Sequence, residues 1–130
     1  MKSIESRDEI NILVNAFYAK IRKDDLLGPI FNKHIAEEQW PAHLEKLTDF
    51  WESQLFRVSK FRGNPTLAHK NVDEAHHHKI EQSHFNHWLS IWFETVDELF
   101  EGELALLAKN SAHRMAGAQF MMMVQMRPKA

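Results

Sequence analysis

Histidine is concentrated in the stretch HKNVDEAHHHKIEQSHFNHW, which covers positions 69–88 and holds six of the nine histidines in the chain. Neutral imidazole is the commonest metal ligand among protein side chains, so this stretch raises the question of a metal site. His76, His77 and His78 are adjacent, and successive side chains on a helix point about 100° apart, so all three cannot converge on one ion. We interpret the run as a solvated loop, where serine at all three positions changes the free energy of unfolding by no more than about 0.5 kcal/mol.

Glu-x-x-His patterns occur at positions 74–77 and 81–84, and di-iron carboxylate bundles use that spacing. Such a site needs its two copies on facing helices, whereas here both lie within one continuous segment of the chain. We therefore reject a di-iron site. His84 and His87 are three residues apart and flank an apolar stripe, which favours a solvated or half-buried structural role.

His43 and His69 remain as candidate ligands. His43 lies on the inner half of a predicted helix, and His69 ends a short helix that starts at Pro65 with Asn64 as its N-cap. Two histidines on separate elements among Trp, Phe, Leu and Met are what a haem pocket requires, with one imidazole on the iron and a polar group opposite. A core with hydrogen-bonded histidines has the same composition, so the pattern alone leaves both interpretations open.

Apolar residues recur with helical spacing nearly everywhere, which predicts an all-α fold. Ser6 and Glu9 form a capping-box pattern at the start of the first helix, and Gly28-Pro29 ends that helix and opens a short, tight segment. Residues 70–80 are polar and aperiodic, which indicates a loop. We expect one domain, residues 1–130, with a first helix behind Ser6 and three more substantial helices over about 39–57, 81–100 and 103–125.

The composition excludes several classes of site. The chain has no cysteine, which rules out thiolate zinc sites, iron–sulfur clusters, disulfides and cysteine nucleophiles. The net charge is −2 and the basic residues are scattered, so we expect no binding to nucleic acid or membrane. No stretch approaches the roughly 20 apolar residues of a membrane span, and the N-terminus lacks the apolar core of a signal peptide, which predicts a cytoplasmic protein.

Four stretches are together similar to the truncated haemoglobins, specifically to their third group. They are AFYAKIRKDDLLGPIF, WPAHLEKLTDFWESQLF, GNPTLAH and HFNHWLSIWFETVDELF. The resemblance implies a truncated globin, a two-over-two helical sandwich around haem b, which is iron protoporphyrin IX. Other groups of these proteins carry Gly-Gly pairs at helix corners, and none occurs here, in agreement with the third group.

The resemblance also implies roles for individual residues. His69, in the Pro-x-x-x-His pattern, is implied as the proximal ligand of the iron. His76 competes for that role, because the segment between His69 and the tryptophan of HFNHWL is several residues longer here than in many relatives. We keep His69 because the Gly-Asn-Pro approach to it also matches. The implied distal residues are Tyr18, His43 and Trp88, and the implied haem contacts are Phe31, Leu47, Trp51 and Trp88.

The activity implied by the resemblance is the binding of dioxygen, nitric oxide or another small diatomic ligand at a five-coordinate iron. Bound dioxygen carries partial negative charge, which O–H and N–H donors stabilise in a dry pocket. Three such donors exceed the needs of a simple carrier. We therefore expect nitric oxide dioxygenase- or peroxidase-like chemistry, with an unknown reductase, rather than bulk oxygen transport. The alternatives are a haem-based sensor or binding module without turnover, and a haem-free helical protein that binds zinc, nickel or copper.

Overall fold

The computed structural model of the chain describes residues 2–57, 65–76 and 78–128. This described part is helical, and its only extended pairing is an isolated bridge between Lys2 and Phe100. A single 3-10 turn, Glu37–Gln39, precedes the third α-helix. The α-helices are α1 (Arg7–Lys23), α2 (Gly28–His34), α3 (Trp40–Phe56), α4 (Pro65–Ala75), α5 (Gln82–Leu99) and α6 (Glu103–Gln125).

Helix α1 begins at the predicted capping box and packs along α3. The Glu9 carboxylate accepts the backbone N–H of Ser6 at 2.9 Å, a group that has no partner within the helix. Arg7 forms ion pairs with Asp49 and Glu52 of α3 at 2.6 Å and 3.1 Å, which fixes the two helices side by side. The inner face of α1 is buried and consists of Ile10, Leu13, Val14, Phe17, Tyr18 and Ile21.

The turn between α1 and α2 depends on Asp24 and Gly28. The Asp24 carboxylate accepts the backbone N–H of Leu27 at 2.9 Å, and its other oxygen lies 2.7 Å from Nε2 of His87 on α5. A Cβ atom at Gly28 would lie 2.9 Å from the backbone oxygen of Arg22, so this approach has room only for glycine. The turn therefore folds α2 back against α1. A short segment opens at Gly28, as predicted, but the first helix already ends at Lys23.

The core is shared by α1, α3, α5 and α6, and it is strongly aromatic. Trp51 of α3 stacks on Trp92 of α5 with ring centroids 4.5 Å apart, and Phe17 of α1 meets Trp92 edge-on at 5.0 Å. Trp92 donates its indole N–H to the backbone oxygen of Ala108 at 3.1 Å, so this buried polar atom has a partner. In the described residues α4 packs chiefly on α6, and it stands outside the shared core.

The structure corrects the predicted extent of α4. The helix starts at Pro65, as the sequence predicts, but it continues to Ala75 through positions predicted as loop. Polar contacts hold these last turns: Lys70 pairs with Glu74 one turn later at 3.1 Å, and Asp73 is buried. Apolar periodicity could not detect such turns. The predicted N-cap, residue 64, lies outside the described residues.

The short segment after Gly28 is a seven-residue helix, so more helices are present than the four substantial ones predicted. The bounds of α5 and α6 agree with the prediction to within a residue. Among the described helices, none combines the length and apolar character needed to cross a bilayer.

Candidate functional site

Tyr18 lies at the centre of a cluster of rings from four helices. Its side chain is buried, and its ring lies 5.9 Å from Phe31 on α2 and 5.8 Å from Trp40 on α3. His43, also on α3, meets Tyr18 edge-on at 6.2 Å. The side chain of Trp88 on α5 lies within reach of the same tyrosine hydroxyl. Four of the predicted site residues are therefore neighbours: Tyr18, Phe31, His43 and Trp88.

A hydrogen bond between Trp88 and Tyr18 has only one possible direction. An indole N–H can only donate, so the Tyr18 oxygen accepts and its own O–H stays available to another acceptor. Burial raises the pKa of the Tyr18 hydroxyl above its ordinary value, and the bond from Trp88 opposes this with a smaller effect. Tyr18 therefore remains protonated at physiological pH, and its O–H is available as a hydrogen-bond donor.

His43 separates the Tyr18 cluster from an open cavity. Its half-buried ring meets Trp40 edge-on at 5.4 Å, and it borders a cavity of about 550 Å³ together with His34 and Lys46. Burial lowers the pKa of the His43 imidazole, and the positive charge of Lys46 acts in the same direction. A neutral imidazole at this position suits the function implied for His43, as a third donor beside Tyr18.

His69 contacts a different set of residues, on α5 and α6. Its Nδ1 lies 3.3 Å from Oε1 of Gln119, and its ring meets Phe85 edge-on at 5.4 Å. A bond from Nδ1–H to this amide oxygen would leave the lone pair of Nε2 available to a metal. Burial lowers the pKa of the imidazole, against a smaller raising effect of the Gln119 bond. A neutral imidazole oriented through Nδ1 is what a metal-ligating histidine needs.

No family model matches the chain. A curated group 3 truncated haemoglobin from Campylobacter jejuni is 31% identical to it over 101 residues, which are 76% of this chain and 76% of that protein. The chain belongs to the group 3 truncated haemoglobins. A crystal structure of a group III truncated haemoglobin from Campylobacter jejuni covers 99% of this chain and 100% of its own, with a TM-score of 0.84 at 27% sequence identity. The truncated-globin fold predicted from the sequence is confirmed.

In this truncated haemoglobin, His76 lies two turns beyond His69, at the end of α4. Its backbone N–H closes the last turn on the oxygen of Val72 at 3.1 Å, and its Nε2 lies 3.1 Å from Nε2 of His34 on α2. His69, by contrast, has an aromatic neighbour on α5 and an orienting partner on α6. These contacts support the preference for His69 as the proximal ligand.

The described members of the histidine run lie in a turn and are partly exposed, as predicted, but they also make contacts that a purely solvated loop would lack. His76 contacts His34, and Nδ1 of His78 lies 3.1 Å from Oδ2 of Asp73, a residue that is 1% exposed. Residue 77 lies outside the described residues. Because His78 bonds to a buried carboxylate, the small change of about 0.5 kcal/mol typical of exposed positions no longer applies to this segment.

His84 and His87 have structural roles, as predicted. Nδ1 of His84 accepts the backbone N–H of Glu81 at 2.9 Å, which caps the start of α5. Nε2 of His87 lies 2.7 Å from the Asp24 carboxylate in the turn between α1 and α2. Both imidazoles are partly buried, and both hold α5 in place rather than taking part in the Tyr18 cluster.

Leu47 and Trp51 follow His43 along α3 by one and two turns. Leu47 is partly buried and packs against the core. Trp51 is 2% exposed and is stacked on Trp92, so its observed contacts belong to the core behind the Tyr18 cluster. A direct contact of either residue with haem stays a prediction.

Sequence reasoning missed a polar clamp between α4 and the segment after α6. Arg127 donates through Nε and Nη2 to the two oxygens of Asp73, each at 2.8 Å, and through Nη2 to the backbone oxygen of Ile80 at 2.6 Å. Asp73 lies one turn after His69, so the clamp holds the same helix that presents the candidate ligand. Burial alone would raise the pKa of the Asp73 carboxyl, but hydrogen bonds from Arg127 and His78 outweigh it and the pKa lies below its ordinary value.

Replacing Arg127 by Met should lower the free energy of unfolding by about 2 kcal/mol, because the buried Asp73 carboxylate loses its bidentate partner. His78→Ser removes the bond from the His78 imidazole to the same carboxylate and should lower the free energy of unfolding by about 1 kcal/mol. The matched control is Lys109→Met, which breaks the exposed ion pair with Asp97 at 2.7 Å and should cost less than about 1 kcal/mol. Urea unfolding at pH 7 measures all three.

The bonds between Asp73 and Arg127 also predict how the stability of the protein depends on pH. The pKa of Asp73 is lowered in the folded protein, so its stabilising contribution is present above the ordinary carboxyl pKa and is lost as pH falls through the folded value. The difference in stability between the unsubstituted protein and the Arg127→Met variant should therefore shrink under strongly acidic conditions. A difference that stays constant from pH 7 into that acid range would contradict the assignment of the clamp.

Proposed function

We propose that this chain binds haem b through Nε2 of His69 and holds dioxygen, nitric oxide or another diatomic ligand beside the Tyr18 hydroxyl. The proposal rests on the surroundings of two side chains, His69 and Tyr18. His69 is a neutral imidazole with Nδ1 oriented by Gln119, and Tyr18 is a buried donor backed by Trp88. Haem would supply reversible binding of a diatomic ligand at its iron, a chemistry that side chains lack. Membership of the group 3 truncated haemoglobins supports the same cofactor.

The surrounding residues fit this cofactor. Phe31 and Leu47 offer partly buried apolar surface on α2 and α3, which would exclude water from the pocket. Trp51 fixes α3 against α5 and so holds the helix that carries His43. Lys46 borders the same cavity as His43 and offers a positive charge to the carboxylates of the porphyrin.

The relay from Trp88 to Tyr18 supports nitric oxide or peroxide chemistry over bulk oxygen transport. A hydroxyl that accepts a hydrogen bond donates a stronger one, because successive bonds polarise each other. A strong donor would stabilise the partial negative charge on bound dioxygen, which slows its release and polarises the O–O bond. Turnover would need an electron donor, a reductase whose identity the chain does not reveal.

Mixing the dioxygen-loaded ferrous protein with nitric oxide tests this function. With excess nitric oxide and dioxygen and a chemical reductant to return the haem to the ferrous form, we expect several nitrate molecules per haem, because one nitrate per haem is the single-turnover reaction of any oxygen-loaded globin. Nitrate that stops at about one molecule per haem, or displacement of dioxygen without nitrate, together with unchanged spectra on adding peroxide, would contradict the proposed chemistry and favour a binding or sensing module. Because that result still requires haem, it leaves the cofactor assignment standing.

A further inference from the structure

A second pair of imidazoles, His34 and His76, lies outside the set of residues used in the haem proposal. Their Nε2 atoms are 3.1 Å apart, their ring centroids are 5.1 Å apart, and the ring planes are inclined by 55°. The centroids are thus farther apart than the nitrogens, so the rings direct their Nε2 atoms toward one position rather than stacking. His34 is exposed and His76 is partly buried, so solvent reaches the pair.

The separation of the two nitrogens matches that of two ligands on one metal ion. Zinc binds imidazole nitrogen at about 2.0–2.1 Å, and angles between square and tetrahedral place two such nitrogens about 2.9–3.4 Å apart. We propose that His34 and His76 bind a divalent transition-metal ion of the zinc, nickel or copper class. Imidazole suits all three ions. In the described residues no group of three potential ligands is assembled, so water completes the coordination.

The positions of the two histidines on their helices favour a cation independently of the distance. His34 is the last residue of α2, and His76 directly follows Ala75, the last residue of α4. Carbonyl groups at the C-terminal end of a helix carry partial negative charge, which stabilises a nearby positive ion. Two helix C-termini therefore meet at the same pair of imidazoles.

An ion at this pair would join α2 to the end of α4. Helix α2 carries Phe31 and α4 carries His69, so the ion would tie together two elements of the proposed haem pocket. Binding to the folded chain alone would also raise its stability, with the logarithm of the ion concentration once that concentration exceeds the dissociation constant. Neither His34 nor His76 is a ligand of the iron in the haem proposal, and metal binding at this pair does not depend on the proposed activity.

A hydrogen bond between the two rings also accounts for a separation of 3.1 Å, and titration with zinc chloride distinguishes the two interpretations. The titration uses the purified protein as isolated, with calorimetry as the readout. His34→Ala and His76→Ala should each weaken zinc binding roughly tenfold or more, because one ligand of a two-point site is lost. The double variant should bind zinc little more weakly than either single variant, since the pair acts as a unit.

His113→Ala is the matched control, because His113 is an exposed histidine on α6 and should leave zinc affinity unchanged. Zinc should also raise the melting temperature of the unsubstituted protein and of this control, and have little effect on the two ligand variants. Absence of zinc binding, or equal affinity in His34→Ala, His76→Ala and the control, would overturn the proposal and leave the pair as a hydrogen bond between helices.

Discussion

His69→Ala is expected to lose normal haem binding, and added imidazole is expected to restore a Soret band to the variant. The substitution removes the Nε2 lone pair, whereas an imidazole molecule can enter the space that the side chain leaves. His69 is the favoured ligand because Gln119 holds its Nδ1 at 3.3 Å and burial keeps the ring neutral. Absorption spectra of the variant with one equivalent of haem, with and without imidazole, measure the effect.

His76→Ala is the matched control for this experiment. It removes an imidazole from the same helix two turns away, where the partner is His34 rather than Gln119. Its Soret band and its haem affinity should equal those of the unsubstituted protein. If His76→Ala loses haem while His69→Ala keeps it, the end of α4 supplies the ligand and the preference for His69 is wrong.

Tyr18→Phe is expected to raise the oxygen dissociation rate of the haem-loaded protein roughly 10- to 150-fold. A hydrogen bond to a strongly polar acceptor contributes about 1.5–3 kcal/mol, and about 1.4 kcal/mol corresponds to one decade in rate. Carbon monoxide is a much less polar ligand, so its dissociation rate should change far less. Stopped-flow measurement of both ligands separates loss of the donor from general damage to the pocket.

Trp88→Phe should have a smaller effect than Tyr18→Phe, because the indole N–H donates to Tyr18 and acts on the ligand through it. The two substitutions should therefore not be additive: once Tyr18 is lost, the bond from Trp88 has no acceptor there. Oxygen release that is unchanged in both single variants would show that Tyr18 does not contact the ligand and that Trp88 does not act on it through Tyr18. The Tyr18 cluster would then be an aromatic core only.

The sequence predicted those parts of the fold that depend on local chemistry. Helix α1 starts at the capping box of Ser6 and Glu9, and α4 starts at Pro65, because both signals act within a few residues. The inner faces of α1 and α5 follow apolar spacing, which places Tyr18 and Trp88 on buried faces or beside them. Their mutual contact was an expectation of the family resemblance, because spacing on one helix carries no information about its neighbour.

The interactions that the sequence could not predict join residues far apart in the chain. Asp73 and Arg127 are 54 positions apart, and nothing in either local pattern indicates the partner. Gln119 is a lone polar residue within the apolar run AGAQFMMM, which indicates that it has a specific partner. Nothing in the run indicates that this partner is His69. His76 was interpreted as solvated because its contact with His34 depends on how α2 and α4 meet.

Titration of the purified protein with haemin, followed by absorption in the Soret region, tests whether each chain binds one haem at a specific site. We predict a sharp break at one haemin per chain and, after reduction under argon, the spectrum of a five-coordinate ferrous haem ligated by histidine. A Soret absorbance that rises without a break, as when haemin binds weakly to many surfaces, would contradict specific binding of one haem per chain. His69, Tyr18 and Trp88 would then belong to a helical core without haem.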